Sequence, residues 1–296
     1  MEESTGEVAA AGAALYVVGT PIGNLEDITL RALRVLKEVD LIACEDTRQT
    51  QKLLNHYQIR KRMVSYHEHN EMTRAAELIV DLENGASIAL VTDAGMPAIS
   101  DPGSRLISLA IRHRLPVIPV PGASAFLAAL VASGLSSDSF RFSAFLPPKR
   151  GARREALERV QASPRTQIFY EAPHRILDTL EDVVAVLGPA RHVVIAREVT
   201  KLHEEFLRGS AGDLLQEVRA RGELKGEMTL LIGKAEDRPA TLSPTHDNIR
   251  KRVEEVVAKE GLDPMAALKV VAKELGISKS EAYRELQRGK PKKTGN

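Results

Sequence analysis

The feature that most constrains this chain is a rhythm. From residue 14 to residue 120, short apolar runs alternate with segments whose apolar residues recur at helical spacing. The runs 14–18 (ALYVV), 40–44 (DLIAC), 63–66, 87–92 (SIALVT) and 116–120 read as strands, and 29–39, 47–56, 71–83 and 104–113 as helices. Asp27 or Thr29 is placed to cap the first helix, and Asn84-Gly85 to stop the third. A strand that is apolar along its whole length needs cover on both faces. Crossover helices on a parallel sheet provide it, so the expected class is α/β.

A second block follows with a different connectivity. Residues 123–133 read as a helix ended by Gly134, and 174–187 as one stopped by Gly188-Pro189. Strands are expected at 141–145, 166–170, 192–197, 204–209 and 227–232, with a helix at 211–220. Several of these strands are joined by short links, so this sheet is expected to be partly antiparallel. A polar linker at 235–245 leads to helices in which Asp263 caps, Pro264 opens, Gly276 ends, and Ser278 with Glu281 forms a capping box. The expected division is a leader at 1–13, α/β domains at 14–122 and 123–234, and a helix-turn-helix-like module at 246–290.

Composition narrows the setting. The single cysteine, Cys44, has no partner for an internal disulfide, which favours a reducing cytoplasm. The start of the chain lacks the basic and long apolar regions of a signal peptide. No apolar run approaches the ~20 residues that span a bilayer. Net charge is +1, so any nucleic-acid contact must be local. Residues 145–160 carry five cations against two carboxylates, and 284–296 five against one. Each stretch reads either as such a contact or as a solvated face.

Loops at 19–27 (GTPIGNLED), 93–103 (DAGMPAISDPG) and 121–125 (PGASA) follow apolar strands. Ligands of open α/β sheets bind at the carboxyl ends of strands, so three such loops suggest one composite pocket. There is no G-x-x-x-x-G-K-[ST] phosphate loop, and Gly19 and Gly23 do not fit the G-x-G-x-x-G dinucleotide turn. The loops also contain no Lys or Arg. That suits a neutral adenosine carrying a sulfonium and an amino-acid tail better than a triphosphate.

These strings, together with CEDTR, FYEAPHR and GEMTLLI, resemble the ribosomal RNA branch of the tetrapyrrole methylase superfamily, over about Leu15 to Gly233. The corrin methylases of that superfamily carry G-D-P where this chain has Gly95-Met96-Pro97. The resemblance implies two α/β domains with S-adenosylmethionine in the cleft between them, and a homodimer. It implies 2′-O-methylation of a cytidine ribose near the decoding region of small-subunit (16S) ribosomal RNA, free or in the assembled subunit. Its cofactor shell would comprise Ile22, Gly95, Met96, Ile99, Gly122, Ala123, Tyr170, Met228 and Thr229.

A proton acceptor for the ribose hydroxyl is sought among Glu45, Asp46, His67, Glu171 and His174. Glu45 and Asp46 read equally as partners of Arg48 or as a helix cap, and His174 as a packing residue at a helix start. His67 and His69 lack a third ligand, so no metal is expected. The cations Lys149, Arg150, Arg153 and Arg154 are the candidate RNA contacts. Two rivals remain: a corrin- or diphthamide-type small-molecule methylase, and a non-catalytic RNA-binding protein that uses its terminal module.

Overall fold

The computed structural model describes residues 13–222, 224–235, 246–274, 280 and 282–284. Nearly all of the expected leader and linker, Gly276, the Ser278–Glu281 capping box and most of the basic terminal stretch lie outside the described residues. One compact unit ends at Glu236 and a second begins at Asp237.

The first half of the larger unit runs β1 (Leu15–Val18), α1 (Leu30–Glu38), β2 (Leu41–Cys44), α2 (Thr47–His56), β3 (Arg62–Ser65), α3 (Glu71–Glu83), β4 (Ile88–Val91), α4 (Ser104–Arg112) and β5 (Val117–Val120). Its strands form one parallel sheet in the order β3-β2-β4-β1-β5. Neighbouring residues on a strand face opposite ways, and both faces are dry. Tyr16, Val18, Ile42, Cys44 and Ala89 pack under Ala32, Val35 and Leu36 of α1. Leu15, Leu41, Ala43, Ile88 and Leu90 pack under Leu78 of α3 and Leu106 of α4. This double burial is why the strands read as continuous apolar runs. Thr29, rather than Asp27, caps α1, its hydroxyl accepting from the Ala32 amide at 3.0 Å. Asp27 closes a short 3-10 turn, Leu25–Asp27.

The second half runs α5 (Ala125–Ser133), β6 (Phe140–Phe145), α6 (Arg150–Glu158), β7 (Thr166–Glu171), α7 (Ile176–Leu187), β8 (His192–Arg197), β9 (Glu205–Ser210), α8 (Ala211–Arg221) and β10 (Met228–Ile232). The order is β6-β7-β10-β8-β9, with β6 and β7 parallel and the other pairs antiparallel. Phe169, Ile195 and Leu230 face Leu157, Leu180 and Leu214 of α6, α7 and α8, while Ile168, Val194 and Leu231 face Ala129 and Leu130 of α5.

In the second unit, α9 (His246–Glu260) and α10 (Pro264–Glu274) pack through Ile249, Val253 and Val256 against Ala267, Leu268 and Val271. Asp263 Oδ1 accepts from the Met265 and Ala266 amides at 2.8 and 3.1 Å, the cap its position before Pro264 predicts. No described helix is long and apolar enough to cross a membrane.

Candidate active site

In the first sheet β1 lies between β4 and β5, where the strand order reverses, and the loops leaving these strands meet. Thr20 and Gly95 exchange backbone hydrogen bonds at 2.9 and 3.1 Å, and the Thr20 hydroxyl donates to the Thr92 carbonyl at 3.0 Å. The first and third loops touch through bare backbone. A Cβ on Gly19 would stand 2.7 Å from Gly122 Cα and 2.7 Å from Met96 Sδ. Only glycine allows that approach. Within the second loop Gly95, Ala98 and Ser100 have φ of 86°, 67° and 65°. Two non-glycine residues are thus held left-handed, each at a cost of about 1–3 kcal/mol that the surrounding fold must offset.

These loops form one wall of a cavity of about 380 Å³. The other wall comes from the second sheet. Because β10 runs antiparallel to β7, the start of β10 lies beside the end of β7, pairing Met228 with Glu171 and Thr229 with Tyr170. That register brings GEMT onto FYEA. Ile22, Met228 and Thr229 are buried on the floor, whereas Ile99 and Phe145 are exposed on the rim. The lining holds no Lys, Arg or His, but it does hold Asp101, Glu171 and Glu227.

Asp101 is the chemically distinctive group. Burial, then the nearby Glu45 carboxylate, pushes its pKa up to about 6. Thr92 stands between the two: its hydroxyl donates to Glu45 Oε2 at 3.0 Å and is also hydrogen-bonded to Asp101. The Thr92 bond favours the ionised Asp101 carboxylate, but burial and the Glu45 charge outweigh it. Burial and Asp101 also push the Tyr170 hydroxyl up.

The sequence profile of the family described as "Tetrapyrrole (Corrin/Porphyrin) Methylases" matches residues 14–215. A ribosomal RNA small subunit methyltransferase I of Halalkalibacterium halodurans is 50% identical over 276 residues, covering 91% of this chain and 93% of that protein. The chain belongs to the tetrapyrrole methylase family, in its ribosomal RNA small subunit methyltransferase I branch. The Synechocystis protein of the same name is 45% identical, covering 91% of this chain and 95% of its own. Among solved structures, diphthine synthase shares the fold with a TM-score of 0.59 at 16% identity, over 74% of this chain and 90% of that one. A Thermus thermophilus uroporphyrin-III C-methyltransferase complexed with S-adenosyl homocysteine does so with a TM-score of 0.53 at 19% identity, over 75% and 98%.

The structure brings Ile22, Gly95, Met96, Ile99, Tyr170, Met228 and Thr229 onto this one cavity. Gly122 and Ala123 are not in its lining. Gly122 is occupied by its contact with Gly19, and the third loop lines the cavity with Ser124 and Ala125 instead. Val199 and Ala196 also line it, with no signal in the sequence beyond the end of β8. Asp101 of SDPG lines it as well, its character set by partners distant in the chain.

The proposed bases separate. Asp46 caps α2, accepting from the Arg48 amide at 2.8 Å and pairing with its guanidinium, which together lower its pKa to about 2. Such a weak base is ill matched to a hydroxyl. The Glu171 carboxylate is fully buried and takes hydrogen bonds from the Ala172 amide at 2.8 Å and Thr179 at 2.7 Å, beside Arg175 Nε at 3.2 Å. These contacts tie it to the turn after β7. His67 and His174 do not line the cavity. Among the described residues no cluster suited to a metal is found.

The basic patch also needs correction. Arg150, Arg153 and Arg154 converge on Asp182 of α7, at 3.2, 2.7 and 2.6 Å. The Asp182 side chain is 0% exposed and that of Arg153 only 4%. Burial raises the Asp182 pKa, but the three guanidinium hydrogen bonds outweigh it and hold it low. Arg153 is therefore a buried strut between α6 and α7. Lys149 and Arg150 are exposed, and Arg154 is partly so.

Proposed function

We propose that the chain transfers a methyl group from S-adenosylmethionine to the 2′-hydroxyl of a cytidine near the decoding region of small-subunit ribosomal RNA. The observation that carries this reading is the lining of the cavity: apolar, carboxylate-bearing and free of cations, at the switch point of a parallel sheet. The donor set fits a sulfonium. Carboxylates tolerate its positive charge, and no phosphate clamp is present. The volume lies within the usual ~300–1,000 Å³ of small-molecule sites. Ile22, Gly95, Met96, Ile99, Tyr170, Met228 and Thr229 would hold the donor, with Ser124 and Ala125 from the third loop, and Gly122 and Ala123 shaping that loop from behind.

S-adenosylmethionine supplies an electrophilic methyl on a positively charged sulfur. When bound, it would supply that methyl to the ribose oxygen, the carbon–sulfur bond breaking as the oxygen–carbon bond forms, and leave the hydroxyl proton to be accepted by the protein. Asp101, ionised above a pH of about 6, accepts that proton, with Glu45 behind Thr92 keeping its basicity high. Holding oxygen and methyl in line contributes as much as ~7–11 kcal/mol. Lys149, Arg150 and Arg154 meet the RNA backbone, and Arg153 supports them from within. The reading includes domains divided near residue 122, a homodimer, to which the exposed Leu127 and Val131 of α5 offer an apolar face, and action in the cytoplasm, where ribosomes mature.

Calorimetric titration with S-adenosylmethionine, followed by transfer of its labelled methyl to free small-subunit RNA or to assembled subunits, tests the reading. Label that resists alkaline cleavage at one cytidine supports it. Label found only on a corrin or a protein, or an absence of cofactor binding, sinks it.

A further inference from the structure

β6 does not end as a regular strand. Its register against β7 shifts between Phe142 and Phe145, and Ala144 sits at φ 48°, a left-handed conformation at a residue with a Cβ. In a regular strand, residues three apart face opposite ways. Here both Phe142 and Phe145 make edge-on contacts with the ring of Tyr170, at centroid distances of 5.0 and 5.8 Å. The bulge has re-aimed Phe145, a use bulges serve beside active sites. The chain beyond it is clamped. Leu146 is buried, and Arg175 Nη2 donates to the carbonyls of Leu146 at 2.8 Å and Pro147 at 3.3 Å.

The outcome of this strain and clamping is a phenyl ring left 53% exposed on the rim of the cavity. Folding favours burying such a ring, and the fold instead fixes it in the open. Lys149 and Arg150, both exposed, follow within the next turn of chain. An aromatic face at the mouth of a pocket, flanked by cations, is the pairing that holds an unstacked base and its phosphates.

We propose that Phe145 is a stacking platform for the nucleobase of the target nucleotide, seating the base on the rim so that its ribose enters the cavity beside Asp101. This rests on the reading of the chain as an RNA 2′-O-methyltransferase. It adds a residue on the rim of the donor cavity that positions the substrate. Stacking recognises the flat face of a base and leaves its identity to other contacts.

The chain contains no tryptophan, so Phe145→Trp creates a single fluorophore at the platform. Titration with oligocytidine and with assembled small subunits is expected to quench its emission saturably, whereas S-adenosylmethionine alone leaves it little changed. Phe145→Ala is expected to lower kcat/KM for RNA by ~5–150-fold, the equivalent of one lost base stack. Its melting temperature and cofactor affinity should stay at wild-type values, and Phe145→Tyr should restore the rate. Wild-type kcat/KM in Phe145→Ala, or no quenching in Phe145→Trp while the wild-type chain methylates RNA, overturns the platform and leaves the RNA reading intact. A loss of cofactor affinity matching the loss of rate makes the ring a donor contact and also overturns it. A wild-type chain that neither binds nor methylates RNA removes the RNA reading, and the platform with it.

Discussion

Replacing Arg153 by alanine should destabilise the protein far more than it weakens RNA binding. Arg153 Nε and Nη2 reach the same Asp182 oxygen at 2.8 and 2.7 Å, with the carboxylate wholly removed from solvent. Removing one partner of such a pair strands a buried charge, a cost of ~3–5 kcal/mol. Arg150 and Arg154 offset part of it, because both also bond Asp182, so the lower half of that range is expected. At ~2–4 °C per kcal/mol for a body of this size, the melting temperature should fall by ~6–15 °C. Circular dichroism on Arg153→Ala measures this, with Arg150→Ala as control. The Arg150 side chain is 64% exposed, and its loss should cost no more than ~1 kcal/mol. The pair Arg153→Met with Asp182→Leu should regain most of the loss, since an apolar pair of similar volume often substitutes for a buried ion pair. A melting temperature within ~2 °C of wild type for Arg153→Ala, together with a flattened salt dependence of RNA binding, would refute the strut and return Arg153 to the RNA surface.

Gly19→Ala forces a Cβ against Gly122 and Met96 and should cost ~1–3 kcal/mol in denaturant titrations. It should also abolish calorimetrically detectable S-adenosylmethionine binding, and retention of both stability and binding would refute the converging-loop geometry. Asp101→Asn should slow single-turnover transfer by ~10²–10⁴-fold, and the wild-type rate should rise with pH through a midpoint near 6. A carboxyl raised in the fold binds its proton more tightly there than when unfolded, so its contribution to stability falls as pH rises from 3.8 to about 6. Discounted for partial solvent contact, Asp101→Asn should therefore gain ~1–2 kcal/mol at neutral pH, and a destabilised variant would contradict the burial argument. The depressed Asp182 acts in the opposite sense: its contribution is present above its unfolded value near 3.8 and is lost on acidification below it, as acid unfolding monitored by circular dichroism should show.

Much of the fold was legible because local chemistry and tertiary structure agree. Strands covered on both faces leave no polar face, so β1, β2 and β4 announce themselves as unbroken apolar runs. Thr29 and Asp263 stand where helix amides lack partners, and they cap accordingly. The cofactor loops were legible as glycine and proline placed after strands. What stayed hidden depends on distant partners or on backbone conformation. Asp101 is distinctive because β2 brings Glu45 across Thr92, a contact without local trace. Phe145 is re-aimed by a bulge at Ala144, where no glycine marks the positive φ. Arg153 was the readable exception. It stands four residues before the buried Leu157, on the inward stripe of α6. Its charge alone assigns it to the surface, and its helical phase assigns it to the interior.

The cavity has one wall in each half of the molecule, yet the extensive packing between helices and strands lies within one half or the other. Between the halves run loops, such as the one that sets Lys201 against Gly23. A ligand held by both walls is then a mechanical tie as well as a reactant. At one hundred times its Kd it adds ~2.7 kcal/mol to the native state. That gain falls on the seam, where local opening separates the two walls, before it reaches either sheet. Hydrogen exchange should slow first in the loops around Thr20, Gly95 and Val199, with the strands of each half changing least. A donor bound across both walls would thus tie the two sheets of this one compact unit together, and its departure would remove that tie.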